Sequence, residues 1–118
     1  MLTGLWLDPY TNMYFSASSE LDIDHLVPLK YAWTRGAYNW PKSKRVKFSN
    51  DESNLFAVKK SVNRQKFAMG PAMWLPPSDD FKCKYIKLFQ GIVIKYELIQ
   101  TNDELSEISI KMDKFCVN

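Results

Sequence analysis

The sequence is poor in the residue types from which many functional sites are built. Its 118 residues contain one histidine, His25, and two cysteines, Cys83 and Cys116. A structural zinc site needs four Cys or His ligands, often as two Cys-x-x-Cys pairs, so we expect no structural zinc. The two cysteines are also too far apart in sequence for a redox motif. A site that uses imidazole chemistry must therefore be built around His25.

Long apolar runs are absent as well. No run approaches the roughly 18 residues of a membrane span, and the N-terminus lacks the features of a signal peptide, so we expect no membrane partner. Hydrophobic residues nevertheless make up 46% and aromatic residues 14% of the chain, which is typical of a globular protein. This length fits one domain over residues 1–118, and we expect no second domain.

Positive charge is missing from the first 27 residues, which contain four acids and no Lys or Arg. Residues 28–66 contain ten Lys or Arg against two acids, interleaved with Trp33, Tyr38 and Trp40. Such a segment is typical of a polyanion-binding surface, although a solvated surface has the same composition. Because the segment directly follows Asp24 and His25, we favour the first interpretation.

The hydrophobic pattern predicts a mixture of short strands and helices. The first predicted elements are a hairpin over 3–15, a strand over 21–27, a helix from Pro28 through Trp33 capped by Gly36, a helix from Lys42 to about Phe48, a strand over 54–58, and a helix begun by Ser61 and ended by Gly70–Pro71. Spacings of three and four then predict an amphipathic helix over 80–98. A capping box at Thr101 to Glu104 predicts a last helix reaching Phe115, with a strand through Ile108 and Met112 as the alternative.

Asp24, Asn63 and Lys66 form a candidate metal and phosphate site. One carboxylate and one amide oxygen can hold Mg²⁺ while waters and phosphate oxygens complete its shell. Asn63 is predicted at the second position of its helix, near the positive end of the dipole, and Lys66 shares its face. Asp22, on the same strand face as Asp24, is a candidate outer-shell group. The alternative for Asn63 is a helix-start residue, and for Asp22 a hydrogen-bonding one.

His25 is a candidate general base because imidazole can accept a proton from water near neutral pH. The alternative is a histidine with a purely structural role. Neighbours in a strand point to opposite faces, so Asp24 and His25 can share a site only if the strand ends or bends there, as Pro28 suggests. Trp33, Trp40 and Trp74 could stack on bases, although core packing is the more usual role of such residues.

The order Asp-His, Asn-Leu, Asn-Arg-x-Lys is more specific than its parts. It resembles the HNH branch of the ββα-metal, or His-Me finger, nucleases. The matching blocks are 6–11, 22–29, 32–33, 36–37, 50–51, 54–55, 57–58, 63–64 and 74–77. Together they resemble the small, often exported, bacterial HNH nucleases related to the C-terminal nuclease domain of GmrSD-type modification-dependent restriction enzymes.

The resemblance implies an α+β fold with a ββα-metal core over 21–67, the N-terminal hairpin and a C-terminal helical segment over 80–116. Asp24 and Asn63 would hold one divalent metal ion, Mg²⁺ or alternatively Mn²⁺, and His25 would be the general base. Asn54, which stands where other HNH nucleases have a second histidine, would brace the loop that presents His25. Further candidates for contact with nucleic acid are Arg64, Lys66, Lys44, Arg45 and Lys59.

The implied reaction is phosphodiester hydrolysis that leaves a 5′-phosphate, on DNA and with little sequence preference because no base-reading module is recognisable. One alternative is a nucleic-acid-binding domain without catalysis. Others keep the same chemistry: a toxin or effector neutralised by an inhibitor or immunity protein, or a restriction nuclease whose recognition domain is absent from this sequence.

Cys83 and Cys116 would meet at the same end of an antiparallel helical hairpin that turns near residues 99–101. A disulfide is therefore geometrically feasible, but two buried free thiols are the favoured expectation. A disulfide would indicate an exported or periplasmic protein, and free thiols a cytoplasmic one.

Overall fold

The structure, a computed structural model, describes residues 5–117. It is of the predicted α+β class and contains two small antiparallel sheets and a helical C-terminal half. Strands β1 (Trp6–Asp8) and β2 (Met13–Phe15) form the predicted hairpin, whose predicted start at residues 3 and 4 lies outside the described residues. Between the hairpin and the second sheet, the chain makes one short 3₁₀ turn at Ser18–Glu20.

The second sheet positions the Asp-His pair. Strand β3 (Leu21–His25) pairs with β4 (Leu55–Lys59), with Asp24 opposite Phe56 and His25 opposite Leu55. Helix α3 (Lys60–Lys66) follows β4 directly and contacts both strands. Strand β3 ends at His25, two residues before the predicted end at Val27.

Two helices connect β3 to β4. Helix α1 (Leu29–Trp33) begins after Pro28, whose fixed φ suits a helix start, and α2 (Lys42–Ser49) begins after Pro41 in the same way. The prediction of Gly36 as the C-cap of α1 is wrong, because the helix already ends at Trp33 and Thr34 is its C-cap. Gly36 instead uses its φ of +125° to start a 3₁₀ turn over Ala37–Asn39.

The helical C-terminal half provides about half of the buried core residues. Helix α4 (Asp79–Lys95) buries one face of Tyr85, Ile86, Phe89, Ile92 and Val93 against the α1 and β3 region. Helix α5 (Asn102–Phe115) begins with the predicted capping box, in which Thr101 and Glu104 satisfy each other's backbone N–H groups. The strand alternative for this segment is therefore wrong. None of the helices described between residues 5 and 117 has the length and apolar character to span a bilayer.

The hairpin is fixed to β4 by a buried carboxylate. Asp8 is fully buried and accepts hydrogen bonds from the backbone N–H groups of Tyr10, Thr11 and Lys59, and from the Thr11 hydroxyl. Burying an ionised carboxylate is costly unless it has partners, and these four donors supply them. The contact with Lys59 places the hairpin turn, and with it Tyr10, beside the second sheet.

Cys83 and Cys116 form a disulfide, with Cα atoms 5.0 Å apart. The expectation of two free thiols is therefore wrong. The bond joins the N-terminal part of α4 to the residue that caps α5. It closes the helical hairpin at the end opposite the turn between the two helices.

Loss of this disulfide is expected to lower the free energy of unfolding by about 3 to 4 kcal/mol, because a crosslink across 33 residues removes entropy from the unfolded chain. Comparing urea unfolding of the wild type with that of the double variant Cys83→Ala/Cys116→Ala tests this. The variant changes only the two cysteines, so the other residues that form the contacts between α4 and α5 are the same in both proteins. Equal unfolding midpoints and slopes for the two proteins would contradict the prediction.

Candidate active site

The imidazole of His25 is half-buried at the end of β3. Its Nε2 atom lies 2.9 Å from the carbonyl oxygen of Ser49, the last residue of α2. A carbonyl oxygen can only accept a hydrogen bond, so a neutral His25 carries its proton on Nε2. The lone pair on Nδ1 is then available to accept a proton.

Asn54 holds the chain just after His25 through a buried side-chain clasp. Its Oδ1 accepts from the backbone N–H of Val27 at 2.8 Å, and its Nδ2 donates to the carbonyl of Val27 at 3.1 Å. Its own carbonyl accepts from the N–H of Leu26 at 2.8 Å. Three hydrogen bonds to two consecutive residues fix the backbone where β3 ends, and so fix the position from which the imidazole projects.

Asp24 is nearly completely buried and receives two strong donors. The Tyr10 hydroxyl donates to Oδ2 at 2.5 Å, and the Lys66 ammonium lies 3.1 Å from Oδ1 and 3.0 Å from Oδ2. Lys66 also donates to the carbonyl of His25 at 2.9 Å. The three side chains thus compensate one another's burial.

The burial of this cluster shifts its acid–base equilibria. Burial raises the pKa of the Tyr10 hydroxyl well above its usual range, and the adjacent Asp24 charge raises it further. Tyr10 is therefore a neutral hydrogen-bond donor to the carboxylate. Burial lowers the pKa of the Lys66 ammonium, while the Asp24 carboxylate opposes that shift. The ion pair is what allows Lys66 to stay charged at a buried position.

Lys66 has no exposed surface, so its ammonium is not positioned to make the expected contact with a phosphate. The expectation rested on its spacing of three residues from Asn63, which correctly brings it close to the site. Its long side chain turns inward to Asp24 instead. No local pattern indicates that Tyr10 approaches from the hairpin, since fourteen residues separate it from Asp24.

Asn63 is the fourth residue of α3, not the second, because the helix begins at Lys60 with Lys59 as its N-cap. The expected second position is therefore wrong. The Asn63 Nδ2 atom donates to Asp22 Oδ2 at 3.3 Å, so Asp22 orients this amide. With its nitrogen committed to Asp22, the amide keeps its oxygen as a free acceptor.

Asp24, His25 and Asn63 line one open cavity of 550 Å³, which we call the His25 cavity. Its other walls include Lys30, Arg64 and Phe67, and Lys30 lies 5.3 Å from the centre of the Phe67 ring. Phe67 follows α3 with φ of +51° and ψ of −125°, a strained backbone conformation for a residue with a side chain. The helix therefore ends at Lys66, before the predicted stop at Gly70–Pro71.

The remaining basic candidates lie at different distances from this cavity. Arg64 is exposed on its wall. Arg45 lies in an adjoining cavity, 5.6 Å from the centre of the Trp33 ring. Lys44 faces the ring of Trp40, and Lys59 faces the ring of Phe15 beside the hairpin. The structure thus brings Arg64 together with the three central residues and places Lys44 and Lys59 elsewhere.

The sequence of residues 1–109 matches a known protein family, described as "GmrSD restriction endonucleases, C-terminal domain". The chain belongs to this family. The resemblance inferred from the motif order is therefore confirmed. Membership in the GmrSD C-terminal family connects the chain to a family named for restriction endonucleases. Among solved structures, none matches this sequence.

One further protein is similar in sequence to the chain. An "Uncharacterized secreted protein" of Arthroderma benhamiae (strain ATCC MYA-4681 / CBS 112371) is 39% identical over 109 residues. The match covers 91% of this chain and 53% of that protein. The chain thus spans about half the length of this relative.

Whether the residues of this GmrSD C-terminal family member fit a divalent metal depends on their free oxygens. Among residues 5–117, no three Asp, Glu, His or Cys side chains are grouped as metal ligands. A site with one carboxylate and one amide ligand is not a group of this kind, because it has fewer than three such side chains and an amide is not one of them. A carboxylate has about four lone-pair positions, and the contacts to Asp24 occupy three, which leaves one on Oδ1. Asp24 Oδ1 and the Asn63 amide oxygen, on two residues that line one cavity, are therefore the oxygens available to a hard cation that keeps several waters.

Proposed function

We propose that this protein is a metal-dependent endonuclease that hydrolyses phosphodiester bonds in DNA, with His25 as the general base. The observation that carries the proposal is the hydrogen bond from His25 Nε2 to the carbonyl of Ser49. It leaves Nδ1 as a proton acceptor in the same cavity as Asp24 and Asn63. Family membership supports the reaction class.

In this mechanism Nδ1 of His25 takes a proton from a water molecule, whose oxygen attacks phosphorus. The bond from phosphorus to the 3′ oxygen breaks, which leaves a 5′-phosphate on one product. Asn54 keeps the imidazole in place through Val27 and Leu26, and Arg64 is available to bind a phosphate at the cavity wall. The ββα arrangement of β3, β4 and α3 supports a ββα-metal core, which we include in the proposal.

Asp24 and Asn63 would hold the divalent cation, Mg²⁺ or Mn²⁺. When bound, the cation supplies electrostatic stabilisation of the charge that develops on the phosphate and on the leaving oxygen. Tyr10 and Lys66 orient Asp24 for this role, and Asp22 orients Asn63. Each proposed ligand is therefore fixed by a neighbouring side chain, as is usual for metal-binding residues.

Incubation of supercoiled plasmid with the wild type tests the proposal. We expect nicked and linear products with Mg²⁺ or Mn²⁺ and intact plasmid with EDTA, because the proposed reaction needs charge stabilisation by a cation. Gel analysis of the products, with end-labelling to locate the phosphate, checks both the activity and the expected 5′-phosphate. Nicking that persists in EDTA would contradict the metal requirement, and 3′-phosphate ends would contradict the bond that is broken.

We also propose that the protein is exported. The Cys83–Cys116 disulfide favours an oxidising compartment, and the similar protein of Arthroderma benhamiae is described as secreted. Secretion of the corresponding full-length protein into the medium, with no free thiols under denaturing conditions, is the expected result.

A further inference from the structure

A second cavity adjoins the His25 cavity and has a different character. It has a volume of 300 Å³, and we call it the Trp33 cavity. Its walls are mainly apolar and include Leu29, Trp33, Trp40, Val46 and Phe48. A cavity of this size is at the lower end of the range of about 300 to 1,000 Å³ that small-molecule sites occupy.

The two cavities are neighbours that share one lining residue. Leu29 lines both of them. Ser49, whose carbonyl accepts the hydrogen bond from His25, lines the Trp33 cavity. A ligand in the Trp33 cavity therefore lies beside the group that the proposed function makes the general base.

Trp33 is exposed to an unusual degree for a tryptophan beside a core. It is 48% exposed, whereas Trp74 packs between Tyr10 and Tyr85, and Trp40 packs on Phe48 and Tyr96. Of the three tryptophans considered for base stacking, Trp33 is thus the most exposed, and its ring has the Tyr38 ring centred 6.4 Å away and the Arg45 guanidinium 5.6 Å away. Its neighbour Leu29 is 47% exposed and Val46 is 48% exposed, so apolar surface continues around the ring.

The edge of the Trp33 cavity is positively charged. Lys42 and Arg45 line it, and the Arg45 guanidinium lies 5.6 Å from the centre of the Trp33 ring. Both residues belong to α2, which carries four basic side chains and no acid in the sequence Lys42–Ser49. An apolar slot with an aromatic wall and a cationic edge complements a flat heterocycle attached to a phosphate chain.

We propose that the Trp33 cavity binds an unpaired nucleobase of a DNA strand while a neighbouring phosphate occupies the His25 cavity. The base stacks on Trp33, and Lys42 and Arg45 contact the backbone on either side of it. This inference rests on the proposed function, since it names the form of DNA that the same site takes. It makes single-stranded or locally opened DNA the preferred ligand, because a base within a duplex is not free to enter the cavity.

Binding of short, fluorescently labelled single strands tests the proposal without cleavage. Two strands carry the same number of phosphates, but one has abasic sites in its central positions. Anisotropy titrations in EDTA at one fixed salt concentration should show the wild type binding the intact strand about five- to a hundredfold more tightly, as expected for stacking of a base on an aromatic ring. Equal affinity for the two strands overturns the proposal.

Two variants locate the preference within the protein. Trp33→Ala removes the stacking surface, and Val46→Phe fills the cavity from an exposed position on α2, so each should bind the two strands equally. Tyr14→Ala is the matched control, since Tyr14 is an exposed aromatic residue on the hairpin and lies outside the cavity. It should keep the wild-type preference. A preference that survives in both cavity variants places base binding elsewhere and overturns the proposal.

The binding assay contains no metal, so its result is independent of catalysis. A wild type that cleaves plasmid in Mg²⁺ but binds both strands equally overturns the base site and leaves the nuclease proposal intact. A wild type that prefers the intact strand but cleaves nothing supports the base site and overturns the nuclease proposal alone.

Discussion

Replacement of His25 by alanine is expected to lower the rate of metal-dependent DNA cleavage by about 10²- to 10⁴-fold, the usual contribution of a general base. His25 is the only histidine in the chain, so no second imidazole can substitute for it. Its Nε2 proton is directed at the carbonyl of Ser49, which leaves Nδ1 as the basic atom in the cavity. Initial rates of plasmid nicking with Mg²⁺, measured for the wild type and His25→Ala at equal protein concentrations, check this prediction.

Two controls separate loss of the base from loss of structure. DNA binding by His25→Ala in EDTA should stay close to that of the wild type, because the basic side chains of α2 and Arg64 are unchanged. Gln65→Ala, an exposed position on α3 that does not line the His25 cavity, should cleave at the wild-type rate. A His25→Ala variant with unchanged cleavage would overturn the assignment of the base, and a wild type that only binds DNA would favour the non-catalytic alternative.

Replacement of Lys66 by methionine is expected to lower the free energy of unfolding by about 3 to 5 kcal/mol. Methionine keeps much of the volume but removes the ammonium, and the buried Asp24 carboxylate is then left with the Tyr10 hydroxyl as its remaining side-chain donor. Breaking a buried ion pair from one side typically has a cost of this size, because the other charge stays buried without compensation. Equilibrium unfolding in urea with the disulfide intact measures the change.

A matched substitution and a double variant test the cause of this loss. Lys60→Met removes a lysine from the same helix at a partly exposed position, and it should change the free energy of unfolding by no more than about 0.5 kcal/mol. Asp24→Asn/Lys66→Met removes both charges and should recover part of the loss. A Lys66→Met protein as stable as Lys60→Met would show that the ion pair does not stabilise the fold.

The sequence predicted those parts of the site that depend on local order along the chain. The end of β3 near Pro28 let Asp24 and His25 share one cavity, and the spacing to Asn63 matched a strand followed by a short helix. The capping box at Thr101 is a local rule of the same kind. In each case the element itself is decided by residues within a few positions of one another, so pattern and propensity suffice. Bringing Asn63 into the same cavity as Asp24 also needs β3 to pair with β4.

The parts that could not be predicted depend on contacts between distant segments. Lysine is rarely fully buried, so a position for Lys66 beneath the cavity could be inferred only with knowledge that Asp24 would face it. Tyr10 reaches Asp24 because Asp8 ties the hairpin to β4 and because Trp74 and Tyr85 pack around the Tyr10 ring. The choice between a disulfide and two free thiols likewise needed the distance between two helix ends.

The partner of the His25 ring is main chain, and this limits how the site can vary. The exposed side chains of α2 can be exchanged without removing the Ser49 carbonyl, so the basic surface is free to adapt to other ligands. An insertion or deletion of one residue within α2 is different, because it rotates the final carbonyl by about 100° around the helix axis. Substrate preference in this protein can therefore diverge by substitution. A change in the number of residues between Pro41 and Asn50 would instead move the Ser49 carbonyl away from His25 Nε2, and Nδ1 would no longer be held as the proton acceptor.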